Sequence, residues 1–348
     1  MAVDQPTVVE QAVPIALVPM SRPARVWRGM QRHDYALFAS VLLVALVILT
    51  AVLDPNRLGS GLVVTLGLAA PLVLAAMAEV PVFLSGGGGC DMSIGPLMGV
   101  TNAIVIVWLL PVSSGPWLLI PGVLCVGAAS GLLIGSLVTV VRLQPIVVTL
   151  GTYIPYSGLT LWVLPQPTGT APGWLTAMAN GWNWVPVPVI VIALVLLCWW
   201  GITRLPFYGQ LMAVGNNDRS AYTAGVNVVV VRTLAYVVGG MIGAVAGLAL
   251  TGLLASGNPT VGPTYTLEAI AAVAVGGISL AGGRGGMFGA VVGALDLFLI
   301  ENILTVFNVS TYALEMVYGL ILVIAIVLNT QLTSLWKGSP VGRKGAKA

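Results

Sequence analysis

Few residues in this chain could do chemistry, and their types suit hydrogen bonding more than bond making. Asp91 and Ser93 follow four consecutive glycines, Gly86 to Gly89, just ahead of a long apolar stretch. Asp296, Glu301 and Asn302 lie within another apolar stretch, and Glu268 opens a third. An Asp near the centre of a membrane helix costs about 2.5–3.5 kcal/mol on insertion scales, so such residues are functional candidates by default. A plainer reading makes Asp296 and Glu301 the polar lining of a water-filled cavity, and Glu268 a first-turn acid that complements a helix dipole. No run of several acids or histidines suggests a proton relay. The three cysteines, Cys90, Cys125 and Cys198, stand far apart, and His33 is the only histidine, so neither a disulfide framework nor a Cys/His metal site is expected. Gly282-Gly-Arg-Gly-Gly286 is rich in glycine but is not the G-x-x-x-x-G-K-[ST] phosphate loop, and the chain contains no match to that motif.

The elements that must position these residues are membrane helices. Of 348 residues, 58% are hydrophobic and 7% charged, where a soluble domain carries about 25% charged residues. Such a chain cannot cover a globule with polar surface, which excludes a soluble enzyme, a nucleic-acid binder and a disordered protein. Only 14 Asp, Glu, Lys and Arg side chains lie between Tyr35 and Thr333. A bilayer core needs about 20 apolar residues per helix. On that basis the sequence predicts ten spans, at 35–53, 62–84, 93–111, 117–141, 145–164, 185–203, 231–255, 267–281, 286–306 and 313–333. The eighth is short enough to be tilted or re-entrant. With 43 glycines the chain can bring helix backbones close together and tolerate broken segments.

Charge sets the orientation. With the N-terminus in the cytoplasm, ten spans return the C-terminus there, and 13 of the 14 basic residues then lie inside, Arg57 alone lying outside. Residues 1–33 read as a loosely ordered cytoplasmic tail, 34–335 as the transmembrane domain, and 336–348 as a basic cytoplasmic tail. The outer loop 165–184 carries Trp174, Trp182 and Trp184, either an aromatic belt at the headgroups or a surface that receives an external protein.

Two further stretches have alternatives. The Gly86–Gly95 segment either caps a cytoplasmic turn or makes a functional break, since each glycine disfavours helix by ~1 kcal/mol relative to Ala. The loop from Arg204 to Asn227 carries helix signals of its own. Asn217 can cap, Asp218 sits in the first turn and Gly225 can supply a left-handed stop. A capped helix of about two turns there is a connector or a docking element, and long loops favour function.

Taken together, these motifs resemble the permease subunits of ATP-binding-cassette importers for monosaccharides of the ribose, xylose and arabinose type. Gly88-Gly-Cys-Asp-Met-Ser-Ile-Gly95 looks like the family's G-G-I-D-L-S-V-G, and Arg142-Leu-Gln-Pro-Ile-Val-Val-Thr-Leu-Gly-Thr152 is similar to its L-P-P-F-I-V-T-L-G-T. Phe207-Tyr-Gly209, Ala213-Val-Gly-Asn-Asn217 and Ala224-Gly-Val-Asn227 resemble F-G, A-I-G-G-N and S-G-I-N. Ala269 to Gly286 resembles A-I-A-A-V-V-I-G-G-T-S-L-x-G-G-x-G-S. The likeness runs over about 35–333. Departures are Cys90 for an aliphatic residue, Phe207-Tyr208 ahead of Gly209, Asn216 for the second glycine, Gly286 for serine, the extra Gly86-Gly87 and the long N-terminal tail.

The resemblance implies an all-α, polytopic, multi-pass permease of a prokaryotic cytoplasmic (inner) membrane, surrounded by lipid and with no covalent chemistry of its own. It implies a second permease, identical or different, two copies of an ATPase subunit that use ATP and Mg, and a periplasmic or extracellular sugar-binding protein. It implies no cofactor bound by this chain and no nucleic-acid partner. Phe207, Gly209, Gly215, Asn216, Asn217, Ala221 and Gly225 would couple the 204–230 loop to the ATPase. Asp91, Ser93, Asn102, Thr149, Glu268 and Asn302 would line or gate the path. No cluster of basic residues lies within the spans to bind an anion, and no set of acids to bind a cation, which suits a neutral polyhydroxylated cargo. Rivals are the same architecture carrying a nucleoside, a branched-chain amino acid or a sugar-like signalling molecule, an ion-coupled secondary carrier, and a non-transporting scaffold.

Overall fold

A computed structural model describes residues 36–53, 62–180, 187–310, 313–314, 316–324 and 327, all within the compact unit that begins at Tyr35. Both proposed tails, 1–33 and 336–348, lie outside the described residues, as do Trp182 and Trp184. The architecture is helical; among the described residues the only β pairing is an isolated bridge between Thr168 and Gly257.

The first half contains α1 (Leu37–Leu53), α2 (Leu62–Leu84), α3 (Ile94–Ile104) and α4 (Pro116–Thr139), followed by α5 (Pro145–Val163). Helix α3 continues as a π-helical turn over Val105–Leu109. Pro116 and Pro145 start α4 and α5, where the missing N–H of proline is not needed and its φ already suits a helix. The second half contains α6 (Gly173–Asn180), α7 (Val187–Thr203), α8 (Pro206–Asn216) and α9 (Asp218–Thr223), then α10 (Val228–Leu254), α11 (Tyr265–Val275) and α12 (Met287–Val306).

Among the described residues, five helices (α2, α4, α5, α10 and α12) are long and apolar enough to cross a membrane, and a sixth arises if α7 and α8 are one span bent by 83°. Helix α1 and the α3–π segment (Ile94–Leu109) are apolar but shorter. The tenth expected span is described only in part and is helical where described. The eighth, expected to be short and tilted or re-entrant, is broken. Helix stops at Val275, and the chain returns through Gly276–Gly286 in turns, with Gly277, Gly282, Gly283 and Gly285 at φ of 76°, 99°, 68° and 122°. Four left-handed glycines cannot continue an α-helix, so the 267–281 stretch is a half-helix and a loop.

The outer loop is partly ordered as α6, and Trp174 there donates its indole N–H to the Ser114 carbonyl at 2.7 Å. Helix α10 is the hub of the bundle. Gly127, Gly131 and Gly135 step along α4 at intervals of four and face the backbone of α10 at Gly240, Tyr236–Val237 and Thr233. A Cβ on Gly131 would run into the Tyr236 carbonyl. Small residues at this spacing let two membrane helices approach closely. The Thr139 and Thr233 hydroxyls, 2.8 Å apart, close the end of the same seam.

Candidate functional site

The turn that leaves α2 is built from glycines in the left-handed region, with Gly86, Gly87 and Gly88 at φ of 69°, 68° and 73°. Its neighbours come from two distant motifs. A Cβ on Gly86 would stand 2.8 Å from the Gly215 carbonyl oxygen, and one on Gly282 would collide with the Gly86 backbone. A Cβ on Gly215 would collide with the Leu84 carbonyl and sit 2.6 Å from the Gly283 nitrogen. The Gly283 N–H donates to that same Leu84 carbonyl at 3.2 Å. Three glycine motifs, read separately in the sequence, thus meet backbone to backbone.

Arg232, one turn into α10, braces this junction. Its guanidinium donates to both Asp218 oxygens at 2.8 and 2.9 Å and to the Ser85 carbonyl at 3.1 Å. The pair joins α9 and α10 to the glycine turn. The sequence marked Arg232 only as a cytoplasmic charge, because its partner lies 14 positions away.

Beyond the turn, Asp91 is buried, and its Oδ1 accepts from the Ser93 N–H at 3.0 Å and the Ser93 hydroxyl at 2.6 Å. Burial pushes the Asp91 carboxyl up from its ordinary value, while the two bonds from Ser93 pull it down. The backbone N–H of Asp91 donates to Glu79 Oε2 at 3.2 Å. Glu79 is 0% exposed and its Oε1 has no partner. The sequence analysis missed Glu79, although an acid between Ala78 and Val80 in the middle of an apolar run was the available signal. Thr149 donates to the Cys90 carbonyl at 3.2 Å, so Asp91, Ser93 and Thr149 come together.

The other path candidates lie elsewhere. Asn102 is buried; its amide nitrogen donates to Thr251 Oγ1 and the Ser256 carbonyl at 2.9 and 3.2 Å, and its oxygen accepts from the Asn258 N–H at 2.8 Å. Glu268 and Asn302 line a cavity of about 400 Å³ near the N-terminal half of α2, together with Tyr265, Phe298, Glu301 and Tyr318. Glu268 and Glu301, 33 positions apart and not visible as a set in the sequence, come to one cavity in the fold. Asp296 is buried in α12 with neither carboxyl oxygen partnered.

In the 204–227 loop, the structure adds α8, which the sequence reading had not separated from its surroundings. Leu205, extended at φ −83° and ψ 151°, precedes Pro206, which starts the helix. Phe207 is half-buried, and Tyr208 meets Trp199 edge to face with ring centroids 6.0 Å apart. Asn216 donates to the Met212 carbonyl at 2.8 Å. The Asn217 side chain caps α9 by accepting from the Ser220 N–H at 3.0 Å, and Gly225 is left-handed at φ 84° just beyond its end. Ala221 packs inward while Tyr222 is exposed. Gly209 is exposed, with open space around its Cα.

Comparison with known proteins fits this picture. Residues 61–326 match the family described as branched-chain amino acid transport system / permease component. The chain is 31% identical over 251 residues to the ribose import permease protein RbsC of Haemophilus influenzae, covering 70% of this chain and 77% of that one. It is 32% identical over 247 residues to RbsC of Bacillus subtilis, covering 70% and 76%. The D-allose transport system permease protein AlsC of Escherichia coli is 31% identical over 246 residues, covering 69% and 75%. No solved structure matches the chain significantly. The chain therefore belongs to this permease family, and is a multi-pass, non-catalytic membrane subunit of a bacterial binding-protein-dependent ATP-binding-cassette importer.

Proposed function

We propose that this permease imports a neutral monosaccharide, with an external binding protein delivering the sugar and a partner ATPase hydrolysing ATP with Mg. The observation that carries the cargo is the identity of about 31% to permeases named for ribose and D-allose, spread over some 70% of the chain. The arginine distribution supports ten spans with both ends in the cytoplasm. With that orientation the glycine junction lies at the cytoplasmic face and the cavity in the outer half. Two permeases, alike or different, would pair, and the sugar would pass between them. The exposed arc of α8 and α9, including Gly209, Asn216 and Asn217, would dock on the ATPase. Ala221 and Gly215 would anchor that arc, Phe207 would hold its start, and Gly225 its end. Movement of the arc would reach Asp91, Ser93 and Thr149 through Gly215 and Arg232. Asn102 would pin α3 to the Ser256–Asn258 turn that borders the path.

The test is uptake by the importer reconstituted with its own ATPase and binding protein. Pentoses and hexoses should accumulate in an ATP-dependent way. Uptake of a branched-chain amino acid or a nucleoside, with none of any sugar, would reverse the cargo assignment. Uptake by this chain alone under an ion gradient would favour a secondary carrier.

A further inference from the structure

The loop after α5 and the turn after α10 form one fixed ridge. Residues 165–170 are all exposed. The Thr168 N–H donates to the Gly257 carbonyl at 3.2 Å, and the Gly257 N–H donates back at 2.9 Å. The Ala171 N–H donates to the Ala255 carbonyl at 2.9 Å. Asn102 holds the same turn through the Ser256 carbonyl and the Asn258 N–H. A Cβ on Gly262 would stand 2.6 Å from the Gly95 carbonyl oxygen, so the turn is seated on the backbone of α3. Exposed loops are ordinarily the mobile parts of a fold. This one is fastened along its length.

The ridge also lacks charge. In the orientation that the arginines favour, five connections face outward. Four of them, 112–116, 165–184, 256–266 and 307–312, contain no Asp, Glu, Lys or Arg. The fifth, 54–61, carries Asp54 and Arg57 and lies outside the described residues. Trp162, just before the ridge, and Trp117, at the start of α4, are exposed. Indole rings settle at the headgroup level, so residues 165–170 stand on the aqueous side of it. A surface that met only water would carry about 25–35% charged residues. The centre of a protein–protein contact is instead depleted of charge, and a preformed surface loses little entropy when it docks.

We propose that the external binding protein docks on this ridge, at Gln166 to Thr170 and Ala255, through hydrogen bonds and close fit, with no ion pairs. The partner face that suits it is likewise uncharged and rich in amide and hydroxyl groups. The proposal rests on the binding-protein-dependent reading and the arginine-set orientation above, and is independent of which solute is carried. Because Asn102 ties the ridge to α3, and Ser93 caps the other end of α3, docking bears on the helix that leads to the glycine junction.

The experiment uses the importer with its own ATPase in nanodiscs, its permease cysteine-free except for Thr170→Cys, together with its own binding protein. Reaction of this cysteine with an impermeant maleimide is timed with and without the binding protein. In intact cells the cysteine should react from outside, and reaction only in inverted vesicles overturns the orientation and this surface while leaving the cargo reading intact. The binding protein should slow the reaction. Gln166→Trp should weaken binding about fivefold or more, as expected for a residue in the contact. Affinity should change less than about twofold between about 0.1 M and about 1 M NaCl, although the Debye length falls from about 10 Å to about 3 Å. A loss of about tenfold in the higher salt, or on Arg57→Ala, assigns docking to the charged 54–61 connection and overturns the proposal. Binding that leaves the cysteine unprotected overturns it too. A cysteine that reacts in detergent but not in nanodiscs lies among lipid headgroups, which overturns it equally. No binding at all would remove the partner, and this surface with it.

Discussion

Glu79 illustrates what a single residue contributes at this site. Its carboxyl reaches out of α2 to the backbone of Asp91, so one side chain ties the helix to the far side of its own exit turn. An acceptor is what the geometry requires there. Glu79→Gln keeps a carbonyl oxygen and should change stability by less than about 1 kcal/mol, whereas Glu79→Ala leaves a buried N–H unmet at a cost of roughly 1–3 kcal/mol. Thermal unfolding of the purified variants in detergent checks this. Equal destabilisation by both would show that the Asp91 contact is not what Glu79 contributes. Residue types in the sequence were enough to single out Asp91, Ser93 and the Asn217 cap, because each acts on neighbours a few positions away. Glu79, the Arg232–Asp218 pair and the fixing of Asn102 depend on chain segments brought together by folding, and no local pattern announces them.

Between elements, the decisive contact is that of α8 with the turns at 86–89 and 282–283. Gly215 lies where a methyl group would overlap the Leu84 carbonyl, so Gly215→Ala must displace either α8 or the turn. Sugar-stimulated ATP hydrolysis and uptake should both fall at least about fivefold, given the 1–3 kcal/mol typical of overpacking. Gly209→Ala gives the comparison, because a methyl group added there meets nothing. Unchanged uptake in a well-expressed Gly215→Ala protein would reduce the junction to a connector. Most helices were legible because long apolar runs bounded by proline or polar turns leave few choices. The eighth span read as short and either tilted or re-entrant, and its break was not located, since hydropathy cannot distinguish an apolar helix from an apolar loop of small residues. Its left-handed glycines made the difference.

For the whole molecule the arginine distribution makes a prediction about which end faces which compartment. If the arginine distribution governs insertion, Gly169 and Ser220 lie on opposite sides of the membrane. Single cysteines placed there in a cysteine-free chain should react with an impermeant thiol reagent from opposite sides of intact cells and inverted vesicles. Equal reaction at both positions from outside would overturn the ten-span arrangement. The fold class was plain from composition, because a chain with 7% charged residues has no soluble alternative. The cavity was not. Its walls come from α2, the segment before α11, α12 and the residues around Tyr318, which are far apart in sequence.

The glycine junction has a mechanical consequence. Side chains that touch can absorb a small displacement by changing rotamer, as a loose gear takes up play before it drives its neighbour. Where Gly86, Gly215 and Gly282 touch, only peptide backbone meets peptide backbone. There is no rotamer to give way, so a sub-ångström shift of α8 must move the turn between α2 and α3 or separate from it. The joint transmits without backlash, and the same stiffness leaves it no tolerance for even one added carbon.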